Sequence, residues 1–435
     1  MTRLGFILRR RVEQGKGTWQ LQFPTSNVRH TLEIPHGSTK LPREMTELLF
    51  IFLRGQAPIL IAKLRTERLS YEIREQDRIL AEIAIDHIAL LENRRVRKRF
   101  TEMRIRLLAG THKHLKHLTT QLIAAGAKEA SGRPQLCQAL DLKYPEQPHT
   151  LNGSAPSGEH VTWQLRQQLD EILRHDPGTR LGQNREALHQ MRVATRRSRA
   201  ILRAIQPLSN ATWNTTIRRE IGWLATTLGN VRDFDVLLEK LRHETHALAV
   251  PEQETFTSLI QQLEAQRAET HTRMVEALRS KRYITLLDHL QSSLQHMDIL
   301  HLHVPLPDLA KKEFDKLEKA VDHLPKAYDD EDLHRLRIRA KRVRYATELA
   351  TPCSRECTPR LIRQIRKLQD LLGEHQDTVM IEEQLQTFLR STQHVRSAFT
   401  TGLLVERLRQ RRSHARADFP CRWRKVKKRA KALWK

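Results

Sequence analysis

The apolar positions of this chain change period once, and the change divides it. From Gly5 to about Leu108, hydrophobic and polar residues alternate in Ile7–Val12, Trp19–Phe23, Thr31–Ile34, Leu69–Ile73, Ile79–Leu91 and Phe100–Leu107. Successive strand side chains point to opposite faces, so a period of two predicts an antiparallel β region. Pro42–Leu53 carries helical spacing and predicts an inserted helix, and Thr111–Ala125 predicts another packed after the last strand. Lys128–Gly158 is rich in Pro, Gly and Ser and predicts a linker. From Val161 onward apolar residues recur at three and four and strand signals vanish. The expected class is α+β: an antiparallel β domain over 1–127, a linker over 128–158 and an all-α domain over 159–435.

Inside the helical region a single polar pattern occurs twice, as His189-x-x-Arg192-x-x-x-Arg196-x-x-Arg199 and as His334-x-x-Arg337-x-x-x-Lys341-x-x-Arg344. Steps of three and four stack these side chains on one side of a helix. Leu188, Met191, Leu202 and Ile205 in the first copy, and Leu336, Ala340 and Val343 in the second, take the other side. Each helix therefore buries one face and presents a column of cations on another. The following segments also match, Leu224–Asp233 with Leu368–Asp377. Gly229 and Gly373 predict helix ends, and Asp233 and Asp377 predict caps or groups that orient an Arg. Two copies of one unit predict a pseudo-twofold pair of helical bundles.

A lone row of arginines is ordinarily a solvated face. Here no acid interrupts His189–Arg203, and the same geometry returns in the second copy. Stacked cations repel one another unless a polyanion relieves them. Arg197, Arg203, Arg218 and Arg219 add cations to the first copy, and Arg342, Arg363, Arg366 and Lys367 to the second, with Arg219 and Arg363 at matching positions. His189 and His334 either donate an N–H to an anion or pin a neighbouring helix.

Composition narrows the partner to an anion. The 435 residues hold 76 Lys and Arg against 50 Asp and Glu, a formal charge of +26. Nucleic acid, an anionic membrane surface and inorganic polyphosphate all satisfy that charge. Aromatic residues make up only 5% of the chain, and the stripes hold almost none for stacking bases, which disfavours nucleic acid. No apolar run approaches the ~20 residues that span a bilayer, so no transmembrane helix is predicted. The four cysteines, Cys137, Cys353, Cys357 and Cys421, form no framework, and no secretory signal follows Met1, so a reducing cytosol is expected. Cys353 and Cys357 have no His at ligand spacing, and no metal site is predicted there. Arg422–Lys435, with Trp423 and Trp434 among its cations, predicts a solvated terminal helix with two packing aromatics.

With these motifs in view, the chain from about Val161 to Trp434 resembles the CHAD family, the conserved histidine α-helical domain. The resemblance rests on Leu188–Arg197, Gly229–Val236, Leu333–Tyr345 and Leu368–Asp377, in the family's order. It implies two pseudosymmetric four-helix bundles around a basic pore, and binding of long-chain inorganic polyphosphate, with some members on polyphosphate granules. The ligand residues it implies are the two stripes with the added cations named above. No nucleophile, base and orienting group converge in these motifs, so this region is expected to be non-enzymatic and to need no cofactor.

The N-terminal region is similar to a CYTH domain, the triphosphate-tunnel fold, through Leu8–Arg11, Trp19–Pro24, Arg65–Arg68, Ala81–Asp86 and Phe100–Glu102. The family's Glu-x-Glu-x-Lys strand has no counterpart, through loss or a misplaced start, which implies an eight-stranded tunnel with an open edge. Gln22 stands where the family usually has Lys, and Arg104 and Arg106 fall on acidic positions. Triphosphate hydrolysis needs carboxylates to hold a divalent metal, and these arginines repel it, leaving Glu82, Asp86 and Glu102. Triphosphatase activity in this domain is thus the alternative function. Arg9, Arg11, Arg65 and Arg68 either keep a triphosphate contact or face outward as strand residues.

Overall fold

The computed structural model describes residues 1–24, 29–130, 132–142, 151, 156–246, 248–295, 305–351, 358–391 and 395–434. Two compact units divide the chain, one of Met1–Thr46 with Phe52–His149, the other of Glu47–Ile51 with Thr150–Lys435.

The first unit holds the strands where alternation places them. β1 (Ile7–Glu13), β2 (Lys16–Pro24) and β3 (Arg29–Pro35) form one antiparallel sheet; β4 (Lys63–Glu75), β5 (Arg78–Glu92) and β6 (Arg95–Leu107) form another. Two-residue turns at Gln14-Gly15 and Asn93-Arg94 have positive φ at both positions, the geometry that matches strand twist. The inserted helix appears as two short pieces, α1 (Arg43–Leu48) and α2 (Phe50–Leu53), and α3 (His112–Ala124) follows the last strand. The expected linker contains a further short helix, α4 (Gln135–Ala139), whose Gln135 Nε2 donates to Glu102 Oε2 at 2.7 Å. Among the described residues the six strands make two separate sheets rather than an eight-stranded tunnel. The reason lies in the pairing, which joins only strands adjacent in sequence.

The second unit is helical throughout its described length. It comprises α5 (Ser157–Leu181), α6 (Arg185–Ala204), α7 (Ala211–His246), α8 (Val250–Glu254), α9 (Thr257–Arg279) and α10 (Lys281–Gln295). It continues with α11 (Leu306–Asp322), α12 (Asp330–Ala350), α13 (Thr358–Ser391) and α14 (Val395–Leu433). Local chemistry sets the ends of the two basic helices. Gly182, at φ 72°, stops α5, and Asn184 then caps α6 by accepting from the Glu186 N–H at 2.8 Å. Asp329 caps α12 by accepting from the Asp332 N–H at 2.8 Å, and Asp330, Glu331 and Asp332 favour the positive end of that helix.

Packing follows the apolar stripes. Leu333, Leu336, Ala340 and Val343 of α12 are buried against Leu361, Ile365, Leu368 and Leu372 of α13 and Phe419, Trp423 and Val426 of α14. Each of the Leu, Ile, Val and Phe side chains contributes about 1.5–3 kcal/mol when withdrawn from water. Phe314 of α11 meets Trp423 at 5.8 Å and Trp434 at 5.1 Å between ring centroids, so the terminal aromatics close this core as expected. On α6, Leu188, Met191, Ala194, Ile201 and Leu202 are buried likewise. A further core joins Leu237, Leu238 and Leu241 of α7 to Ile381 and Leu385 of α13 and Leu404 and Leu408 of α14. The basic helices α6 and α12 touch, as do α7 and α13.

Candidate functional site

The buried apolar faces leave the basic stripes of α6 and α12 on adjoining surfaces. Gly229 and Gly373, expected to end helices, lie inside the unbroken α7 and α13. Both lie under a cation of the stripes: a Cβ on Gly229 would be in ordinary contact with Arg192 Nη2 at 3.5 Å, and one on Gly373 with Arg337 Nε at 3.7 Å. Gly222 sits the same way beneath Arg199, 3.6 Å from its guanidinium carbon. Asp233 does not cap; it accepts from Arg192 Nη1 at 2.8 Å, and so orients an Arg as expected. Asp377 meets Lys240 Nζ at 2.8 Å, tying α13 to α7.

Arg192, Arg196, Arg337, Lys341 and Arg344 converge where the two helices meet. Burial lowers the pKa of Lys341 to about 7, and Arg337, Arg196, Arg192 and Arg344 push the same way. Arg196 is lowered by burial first, with Arg192, Arg344 and Arg337 adding repulsion. Among the described residues neither Lys341 nor Arg196 nor Arg337 has a hydrogen-bonded or ion-paired carboxylate. The buried Nε–H groups of Arg196, Arg197, Arg337 and Arg344 have no hydrogen-bond partner. Buried donors are nearly always satisfied; Arg197 and Arg344 have Glu348 within 3.7 Å, while the unpaired N–H groups of Arg196 and Arg337 fit an anion with many oxygens.

A second group of cations continues from the first. Arg199, Arg203 and Arg218 lie close enough that Arg203 and Arg199, after burial, lower Arg218, and Arg342 is lowered by burial and then by Arg203. The other expected ligands lie elsewhere. Arg219 pairs with its neighbour Glu220 at 3.1 Å, and Arg363 and Lys367 stand exposed on α13 without ion pairs among the described residues. Arg366, Arg197 and Arg344 gather instead around Glu348, at 3.2, 3.7 and 3.7 Å. The two histidines differ in role. His334 Nδ1 lies 2.7 Å from Gln376 Oε1 and pins α12 to α13, whereas His189 has no such partner among the described residues and is held below its usual pKa by burial and then Arg232. Spacing alone does not single out Glu348 or Gln376, although Glu348 stands at the next four-residue step of the α12 stripe.

The first unit places its candidates differently. Arg68 donates to Asp86 at 2.6 and 2.9 Å, and Arg104 donates to it at 2.5 Å. Asp86 is wholly buried, and the Arg68 hydrogen bonds hold its carboxyl far below the usual range. Arg106 pairs with Glu82, so two of the three remaining carboxylates are taken by arginines. Arg9 donates to Gln20 at 2.6 Å, and partial burial followed by Arg11, Arg104 and Arg68 lowers its pKa. Arg11 pairs with Glu13 at 2.9 Å on an exposed surface. Arg65 is three positions from Arg68 and therefore lies on the opposite face of β4, exposed. Among the described residues no group of His, Cys, Asp and Glu is placed to hold a metal, and Cys353 and Cys357 lie outside those residues. No described helix is long and apolar enough to cross a membrane.

Comparison with known proteins places this geometry in a family. Two proteins of Mycobacterium tuberculosis, uncharacterized protein MT2285 and uncharacterized protein Rv2226, are each 28% identical to this chain over 459 residues, covering 98% of it and 88% of their own length. PptA from Streptomyces chartreusis shares the fold with a TM-score of 0.53 at 24% identity, over 62% of this chain and 100% of its own. The CHAD domain from the plant Ricinus communis matches with a TM-score of 0.52 at 24% identity, over 66% of this chain and 96% of its own. The family model for the CHAD domain matches residues 164–386, just over half of the sequence, and the chain belongs to the CHAD family.

Proposed function

We propose that this protein binds inorganic polyphosphate along the line where α6 and α12 meet, without catalysing its hydrolysis. The observation that carries the reading is the pair Arg196 and Lys341, partly buried, repelled by Arg192, Arg337 and Arg344 and, among the described residues, without an ion-paired carboxylate, while Arg337 beside them is drawn by Asp377 and Asp233 without pairing with either. Such a cluster costs folding energy that only a polyanion offsets. Polyphosphate carries charge on every unit and offers no bases to read, which suits guanidinium forks and a Lys point charge with few aromatics. Membership of the CHAD family supports the same ligand, and polyphosphate granules, where some members are found, are a proposed place of action. The duplicated Gly–Arg contacts at Gly229 and Gly373 support a pseudo-twofold relation between the two halves of the helical unit.

We read the N-terminal unit as a degenerate CYTH-like domain that has lost its metal chemistry. Its Asp86 and Glu82 are tied to Arg68, Arg104 and Arg106, so a divalent ion would have to displace arginines to reach them.

The test is titration of the whole protein with long-chain polyphosphate, tripolyphosphate and single-stranded RNA at near-physiological salt, with magnesium present and released phosphate monitored. Affinity should rise with chain length and fall steeply with salt, with no phosphate released. Equal affinity for single phosphate and for long chains would sink the reading; released phosphate would restore the triphosphatase, and preference for RNA would make nucleic acid the ligand.

A pH dependence follows from Lys341. Its pKa is about 7 in the free protein, and a bound polyanion raises it. Binding therefore takes up a proton above neutrality, and affinity falls as pH rises through about 7–9. Titrations at both ends of that window should differ in the wild type and converge in Lys341→Met; an equal slope in the variant would assign the proton elsewhere.

A further inference from the structure

Glu348 breaks the equivalence of the two basic helices. On α12 the steps of three and four run His334, Arg337, Lys341, Arg344 and then Glu348, whereas on α6 they run His189, Arg192, Arg196, Arg199 and then Arg203. One stripe therefore ends in an acid and the other continues in a cation. Glu348 is mostly buried, its side chain 21% exposed, and draws Arg197 of α6, Arg344 of α12 and Arg366 of α13 towards itself. Its carboxylate neutralises that end of the α12 stripe and repels any further anion there. At the α6 end the acid is Glu313, which attracts Arg342 but is ion-paired with Lys316 rather than with the arginines. Arg199 lies across Gly222, and Arg203, Arg218 and Arg342 stand near it.

On the basis of the polyphosphate reading above, we propose that Glu348 blocks one exit of the cation cluster and steers a long polymer from Lys341 towards Arg199, Arg203, Arg218 and Arg342. The carboxylate acts as an internal competitor of phosphate for the arginines: it occupies Arg344 and, beyond it, Arg197 and Arg366, which would otherwise extend the binding surface. The polymer then has one favourable continuation, along α6. A chain too short to leave the central cluster does not feel the second group of cations, while a long one does. Arg203 and Arg218 thus become chain-length readers, and Glu348 the residue that gives the path its direction.

The experiment uses the whole protein and two probes, tripolyphosphate and a fluorescently labelled long-chain polyphosphate. Glu348→Gln removes the competing charge at constant shape and should tighten long-chain binding about 5-fold, with Glu348→Ala changing it in the same direction. Arg203→Gln with Arg218→Gln should weaken the long chain about 10-fold and leave tripolyphosphate within about 2-fold. In the Glu348→Gln background the same pair should cost less, because a second exit has opened. Weaker binding in both Glu348 variants, with helix content intact, would mean that the carboxylate supports the arginines rather than competing with phosphate, and would overturn the proposal. So would equal losses on both probes. A wild-type protein that binds neither probe overturns the polyphosphate reading itself, and this inference with it.

Discussion

Reversing charge at Arg196 and Lys341 together, each to Glu, is expected to abolish polyphosphate binding while the helices remain folded. Both side chains stand in the central cluster, where burial and the surrounding arginines already lower their pKa values. Introducing two carboxylates there removes two cations of the proposed phosphate path and supplies Arg192, Arg337 and Arg344 with internal partners. The expected loss is at least about 100-fold, or about 2.7 kcal/mol. The dependence of log affinity on log salt should become shallower by about 1.4, at roughly 0.7 for each phosphate no longer neutralised on a flexible strand. Circular dichroism at 222 nm should not change, and the melting temperature should hold or rise, since the neighbouring cations are no longer repelled. Affinity retained in the double variant would mean that the stripes do not carry the ligand. The single variant Arg219→Glu is the control, because Arg219 pairs with Glu220 away from the cluster.

Much of this arrangement is legible from spacing. A period of three and four puts His189, Arg192, Arg196 and Arg199 on one helix face whatever the helix packs against, and the repeat at His334 marks the same face on a second helix. The strands are legible for the same reason, since alternation fixes which side chains share a face before any partner is known. That rule also separates Arg65 from Arg68, three positions apart on β4, although resemblance makes both candidates for a single phosphate site. What spacing does not carry is contact between distant segments. Gly229 and Gly373 look like helix stops because glycine often marks a left-handed cap, yet the packing of α7 and α13 carries both helices through them. The pin from His334 to Gln376 spans 42 positions, and the tie from Lys240 to Asp377 joins separate copies of the repeat. The tunnel expected of the β region comes from resemblance rather than pattern. Alternation predicts strands and faces but not whether sheet edges close.

The largest effect on stability is expected far from the cation stripes, at Asp176. Its carboxylate accepts from Arg180 Nε at 2.6 Å and Nη2 at 3.2 Å, and from the Tyr283 hydroxyl at 3.0 Å. The side chains of Asp176 and Arg180 are 0% and 2% exposed, and Tyr283 is wholly buried. Arg180 also donates to the Leu278 carbonyl at 2.8 Å, so one guanidinium fastens the end of α5 to the end of α9, and Asp176 joins α5 to α10. Asp176→Ala leaves that guanidinium charged, buried and without its counter-ion, which costs about 3–5 kcal/mol. Tyr283→Phe removes one hydrogen bond and should cost about 1 kcal/mol. Replacing the pair at once, Asp176→Leu with Arg180→Met, removes both desolvated charges and should recover most of the loss. Urea unfolding followed at 222 nm measures all three. Asp176→Ala unfolding at the wild-type midpoint would mean that water reaches Arg180, and that these three helices are held together by their apolar contacts alone.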